Sequence, residues 1–206
     1  MIFNGQIPPW LQVLFPKIIF RISNEDCIFP TFDDGPDPVA TPIILDILKE
    51  WNWKASFFCI AEKAELYPDI IQRIQSEGHT IGNHGYHHLD GWKMKSKSFW
   101  ENEKKGRDVL QTLLFRPPYG RISIASYLKK PKDVAIVMWD ILSYDYDSSI
   151  SQSDRNRMFQ KQLKAGSIVV FHDRENCLEN CLDSLKEMKR IVEIEGLRIE
   201  ALKLKT

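Results

Sequence analysis

The sequence lacks an excess of charge of either sign: 28 lysines and arginines balance 28 aspartates and glutamates, for a formal net charge of zero. A neutral chain has no overall field to gather nucleic acid or an anionic membrane surface. No stretch reaches the roughly 18 apolar residues of a membrane span. Nor does the start of the chain read as a secretory leader. Residues Met1–Ile22 are apolar, but no basic segment precedes them, Pro8, Pro9 and Pro16 break the run, and no small-residue cleavage site follows. The default expectation is a cytoplasmic protein, with peripheral membrane association through the apolar N-terminus as the alternative. Cysteine is scarce, with four in 206 residues. A chain of this length buries about 70% of its unfolded surface and needs no disulfide framework. Cys27 and Cys59 read as buried thiols. Cys177 and Cys181, four apart on an expected helix, lack the further ligands of a metal site. Repeats, low-complexity tracts and linkers are absent, so one domain is expected over residues 1–206, with 1–26 as an N-terminal extension packed on its surface.

What is present is alternation. Short β-rich runs (Cys27–Phe32, Lys54–Ile60, His79–Gly82, Val134–Trp139, Ser167–Phe171, Leu197–Leu202) alternate with amphipathic helical runs. Thr41-Pro42 reads as a cap with proline in the first turn, Pro68 opens a second helix, and Lys97–Leu114, Gln152–Lys164 and Glu179–Glu195 follow. This is the pattern of an α/β domain with a parallel sheet, either a barrel or an open sheet. Pro30, inside the first run, predicts an edge position or a bulge.

In such folds ligands bind at the carboxyl ends of the strands, and the polar clusters of this sequence fall there. Asp33 and Asp34 follow the first run, His84 and His88 the third, Asp140 and Asp145 the fourth, and His172 ends the fifth. Four of the five histidines (His79, His84, His87, His88) crowd into about ten residues. On a helical segment His84 and His88 converge on one ion. With one carboxylate from the Asp33-Asp34 pair they make a two-histidine, one-carboxylate set with open positions, which suits a catalytic rather than a structural metal. His87 offers a competing ligand.

Four segments in order, Thr31-Phe32-Asp33-Asp34-Gly35-Pro36, His84 to His88, Arg116-Pro117-Pro118-Tyr119-Gly120 and Ile168-Val169-Val170-Phe171-His172, resemble the NodB-like polysaccharide deacetylases, carbohydrate esterase family 4. The resemblance runs from about Ile28 to His172. It implies a single-domain, distorted and incomplete (β/α) barrel, TIM-barrel-like with about seven strands. It also implies a metal-dependent hydrolase that removes acetyl groups from an N-acetylated carbohydrate. By the same resemblance Asp34, His84 and His88 hold a divalent metal, zinc first, with cobalt, nickel or manganese as alternatives. Asp33 is the general base, oriented by Arg116; His172 is the general acid, tuned by Asp145; and the backbone of Tyr119 stabilises the oxyanion. The aromatics beside the motifs, Tyr119, Trp139 and Tyr144 first and Trp92 and Tyr146 with them, are candidates to stack on sugar faces.

The sequence departs from the family pattern at several positions. Gly85 stands where the family usually has serine or threonine. Leu142 replaces a usual aspartate and Tyr146 a usual tryptophan, while Asp145 is retained. The alternatives are an amidase for a small non-carbohydrate amide and a carbohydrate-binding relic without turnover. The catalytic residues still in place argue against the relic.

Overall fold

Strand β2 (Cys27–Asp33) is buried along its whole length, and its two faces divide the core. Ile28 and Phe32 enter a cluster with the helical residues Leu45, Leu48 and Leu185, whereas Cys27 and Phe29 join Phe58, Val137 and Ile168. A strand buried on both faces belongs inside a parallel sheet. The computed structural model describes residues 13–23 and 26–203. Besides β2 the strands are β1 (Ile18–Ile19), β3 (Ser56–Cys59), β4 (Thr80–Asn83), β5 (Leu114–Phe115), β6 (Ala135–Val137), β7 (Ile141–Leu142), β8 (Ile168–His172) and β9 (Arg198–Ile199). Every strand pair is parallel, in the order β1-β6-β5-β4-β3-β2-β8-β7, with β9 pairing β2 off this path. The sheet curls into an incomplete barrel with helices around it. Among the described residues the path has eight strands; β1, β5 and β7, which the six runs read in the sequence lack, are two-residue strands too short to show alternation.

The helices are α1 (Ala40–Glu50), α2 (Ala61–Leu66), α3 (Pro68–Ser76), α4 (Ser96–Leu110), α5 (Ile124–Leu128), α6 (Gln152–Gln162) and α7 (Leu178–Glu195). None among the described residues is long and apolar enough to cross a membrane. Helix α4 stops at Leu110 instead of running to Leu114: Gln111 turns left-handed, at φ 52°, and the chain enters β5. Ahead of α1, the Asp37 side chain holds the helix entrance: its Oδ1 accepts the backbone N–H groups of Val39 and Ala40. Thr41, the cap expected from sequence, lies inside the helix; its hydroxyl accepts the N–H of Asp37 at 2.8 Å and donates to Asp173.

Pro30 is neither at an edge nor in a bulge. It sits in a strand paired on both sides, in register with Val169 of β8. Hydrogen bonds alternate along β2: Cys27 and Phe29 bond toward β8, and Asp26 and Ile28 toward β9. Pro30 therefore faces the flank where pairing with β9 has ended at Ile28 and pairing with β3 begins only at Thr31. The missing N–H falls in that gap.

The described part of the N-terminal extension supplies β1 as an edge strand on β6, with Ile18 and Phe20 buried; residues 1–12 lie outside the described set. All four cysteines are buried and none forms a disulfide. Cys177 immediately precedes α7 and Cys181 lies within it.

Candidate active site

The carboxyl ends of the strands open on one cavity of about 370 Å³, at the small end of ligand-pocket sizes. Its lining includes Asp33, Asp34, His84, His88, Tyr119, Trp139, Leu142, Tyr146 and His172, from the ends of six strands and their loops. Tyr144 is outside that lining: it packs against the main core cluster, its ring 6.1 Å from that of Tyr146.

Asp33 ends β2 on the face that carries Cys27, Phe29 and Thr31, so it points inward over the barrel interior. Arg116, at the end of β5, fills the space beneath it and is fully buried. The guanidinium stacks on Phe58 at 4.0 Å. It donates to Asp33 Oδ1 at 2.6 Å and Thr31 Oγ1 at 2.7 Å, and to the carbonyls of Val137 and Met138 at 3.1 and 2.9 Å. A buried charge is tolerated only with such pairing.

Asp34 turns away from its neighbour because its backbone is left-handed, at φ 79°. Its Oδ1 lies 3.4 Å from His84 Nε2 and 3.0 Å from His88 Nε2, and the three ligand atoms fall within 4.8 Å of one another. His84 Nδ1 is 2.7 Å from the carbonyl of Arg116. A carbonyl can only accept, so Nδ1 carries the hydrogen and the neutral ring presents a lone pair at Nε2. Asp34 Oδ1 is buried without a hydrogen-bond partner. Lone pairs converging on one point, with an orphaned carboxylate oxygen among them, fit a cation. Asp33 stands further off, its Oδ2 4.0 Å from His84 Nε2.

The segment from His84 to His88 is not helical. The two rings converge through a bend at Gly85, where φ is +90°. A Cβ there would lie 2.8 Å from Asn102 Nδ2 and 2.9 Å from the His87 carbonyl. Asn102, on α4, holds the bend from outside. Its side chain accepts the N–H of His87 at 3.0 Å and donates to the carbonyl of His87 at 2.9 Å, and its own carbonyl accepts the N–H of Tyr86. His87 itself turns outward to Glu62 on α2, with Nδ1 2.7 Å from the carboxylate. It does not compete for the cavity.

On the opposite wall His172 ends β8. Its Nδ1 is 2.7 Å from Asp145 Oδ1, and its backbone N–H donates to Asp145 Oδ2 at 2.7 Å. Burial pushes the imidazolium down, but Asp145, with help from Asp33 and Asp34, outweighs it and leaves the group above the ordinary histidine range. Tyr119 closes the mouth in a left-handed turn, at φ 59°, its ring 4.5 Å from that of His88.

Two residues beside Asn102, Arg174 and Asn83, escape sequence reasoning, whereas Asp173, next to His172, belongs to the expected site by position. Arg174 lines the cavity with Nε 3.4 Å from Asp34 Oδ2. Its place two residues beyond His172 at a strand end is the signal that points to it. Asp173 is fully enclosed behind the site, accepting from Thr41 at 2.7 Å and donating its N–H to the Asp33 carbonyl. Burial pushes its carboxyl up to about 8. A Cβ on Gly35 would meet Asp173 Oδ2 at 2.0 Å, which explains the glycine after the two aspartates. Asn83 completes the group: its Oδ1 accepts the N–H of Gly85 and its Nδ2 donates to the carbonyl of Glu103.

Comparisons with known proteins converge. The family model described as polysaccharide deacetylase matches residues 21–135. A peptidoglycan-N-acetylglucosamine deacetylase of Bacillus cereus is 34% identical over 188 residues, covering 87% of this chain and 68% of that protein. A chitooligosaccharide deacetylase of Azorhizobium caulinodans is 30% identical over 159 residues, covering 73% of this chain and 75% of that protein. The crystal structure of a peptidoglycan N-acetylglucosamine deacetylase in complex with 4-naphthalen-1-yl-N-oxidanyl-benzamide superposes with a TM-score of 0.85 at 30% identity, covering 95% of each chain.

Proposed function

This chain belongs to the polysaccharide deacetylase family and is a hydrolase of carbon–nitrogen bonds other than peptide bonds; from that premise we propose that it removes acetyl groups from N-acetylglucosamine residues of a glycan, with a divalent cation held by Asp34, His84 and His88. The observation that carries the reading is the orphaned Asp34 Oδ1 facing two imidazole nitrogens, with a second carboxylate, Asp33, beside them. The sugar follows from the substrates named for the relatives. Two imidazoles and one carboxylate suit zinc, which when bound supplies Lewis acidity that acidifies water and polarises an amide carbonyl.

The protein's own groups supply the proton transfers. Asp33, fixed by Arg116 through Oδ1, takes a proton from the attacking water. The backbone N–H of Tyr119 donates to the oxyanion that develops as the carbonyl carbon becomes tetrahedral. His172, with Nδ1 committed to Asp145, delivers a proton from Nε2 to the amine nitrogen as the carbon–nitrogen bond breaks. The products are acetate and the free amino sugar.

The test is acetate release from N-acetylglucosamine oligosaccharides, with a small aliphatic acetamide beside them. Acetate and free amine should appear in equal amounts from the sugars, stop with chelator and return with zinc. Release confined to the small amide would overturn the glycan reading.

A further inference from the structure

Trp92 is an exposed aromatic residue that the site chemistry leaves unused. Its residue is 66% exposed, yet its surroundings are ordered by specific contacts. Its backbone N–H donates to Asp90 Oδ1 at 3.0 Å, and Asp90 Oδ2 accepts from Arg121 Nη1 at 2.6 Å. The Arg121 guanidinium in turn lies 4.8 Å from the centre of the indole. Between Asp90 and Trp92 the chain passes so close to the Arg121 loop that a Cβ on Gly91 would sit 2.2 Å from the Arg121 carbonyl. One side of the indole is thus backed by a stacked cation, and the high exposure leaves the rest of it to solvent.

The platform is continuous with the active-site cavity. The Arg121 guanidinium is also 5.4 Å from the Tyr119 ring, and that ring is 4.5 Å from the ring of His88. Tyr119 and Arg121 both line the cavity. His88, Tyr119, Arg121 and Trp92 therefore form a run of neighbouring contacts from the proposed cation site outward. A cavity of about 370 Å³ takes a small group such as one acetylated sugar, and a linked unit of the same chain must emerge over the rim.

We propose that Trp92 is a distal sugar-binding position, which stacks on a pyranose ring of a glycan chain whose acetamido group occupies the cavity. The inference rests on the deacetylase reading and deepens it by assigning a residue that holds the glycan chain away from the reacting acetamide. An indole offers a flat apolar face at low cost in conformational entropy. Asp90 and Arg121 beside it supply the polar partners that ring hydroxyls need. Contact remote from the reacting bond tightens binding of longer chains and sets the register of the acetyl group.

Two measurements on N-acetylglucosamine oligomers of two to six units test this. The first is kcat/KM as a function of length. In the wild type it should rise with length, and Trp92→Ala should lower the ratio of hexamer to dimer about tenfold, through KM. Trp92→Tyr should retain most of that ratio. An unchanged ratio in Trp92→Ala, or a loss in Trp92→Tyr as complete as in Trp92→Ala, would overturn the proposal. The second is a fluorescence titration of Asp33→Asn, which should not turn over, with the hexamer. The indole signal should change on binding, and the change should disappear in Asp33→Asn/Trp92→Ala; equal changes in both would overturn the proposal. If the wild type released no acetate from any oligomer, the deacetylase reading would fail while the titration still decided the sugar position.

Discussion

Asp145 grips His172 at two points, accepting its backbone N–H at Oδ2 and facing its ring Nδ1 at Oδ1, each at 2.7 Å. The first contact fixes where β8 ends and the second fixes the ring. Because Asp145 is wholly buried, its charge is poorly screened and keeps the imidazole protonated to higher pH than usual. A general acid must be cationic, so activity should fall on the alkaline side as His172 loses its proton. Asp145→Asn removes the charge that raises the imidazole, so the alkaline limb of the kcat/KM profile should move to lower pH. The rate below that limb should fall about 10²–10⁴-fold if the ring also loses its orientation. An unmoved alkaline limb would assign it to another group.

Arg116→Met should cost about 3–5 kcal/mol of stability, because it leaves Asp33 buried without its cation. Urea unfolding measures this directly. Adding Asp33→Asn should recover part of the loss, since the stranded charge is then gone. A single-variant loss below about 1 kcal/mol would show that water replaces the guanidinium.

The approach of His84 to His88 depends on a bend that Asn102 holds from α4. Asn102→Ala should weaken zinc binding about 10–100-fold, the usual effect of losing a partner that positions metal ligands. Gly85→Ala should weaken it as well, by strain at a left-handed φ and a clash with Asn102. Competition with a chromophoric chelator reads both affinities. Wild-type affinity in Asn102→Ala would show that the bend holds itself.

Glu103 supports the same region from α4, buried against Asn83, and burial raises its carboxyl to about 7. In the unfolded chain the group ionises near the ordinary glutamate value of 4.5. Between these values the folded state binds the extra proton, so this contribution to stability is complete at low pH and is lost as pH rises through about 7. Glu103→Gln removes the dependence. It should stabilise the protein by about 1–3 kcal/mol at pH 8 relative to its effect at pH 4. Unfolding curves at the two pH values check the sign.

How much of this was legible depended on whether a residue's chemistry shows at its position in the chain. Asp33, Asp34, His84, His88 and His172 stand at strand ends, where a polar cluster after an apolar run is conspicuous, and the spacing of the motifs completed the family resemblance. Asn102 was invisible because a polar residue on an amphipathic helix reads as solvated until the helix is docked. Asp173 could be placed at the site by its neighbour His172, but its enclosure by Thr41 and Gly35 is a tertiary fact. Pro30 misled because proline forbids a ladder bond only where one is demanded, and the handover from β9 to β3 removes the demand. The apolar residues Leu113 and Leu114 prolonged the expected helix past Gln111, where a left-handed residue ends it.

The most direct test of the account is the zinc content, after equilibrium dialysis, of the wild type, Asp33→Asn, Asp34→Asn and His84→Ala. The geometry sets Asp34 with the two histidines and Asp33 with Arg116. The wild type and Asp33→Asn should each retain about one equivalent per chain, and Asp34→Asn and His84→Ala should lose it. In Asp33→Asn the metal should persist while acetate release drops. Loss of zinc from Asp33→Asn with retention in Asp34→Asn would contradict the assignment of the two aspartates, and with it the mechanism.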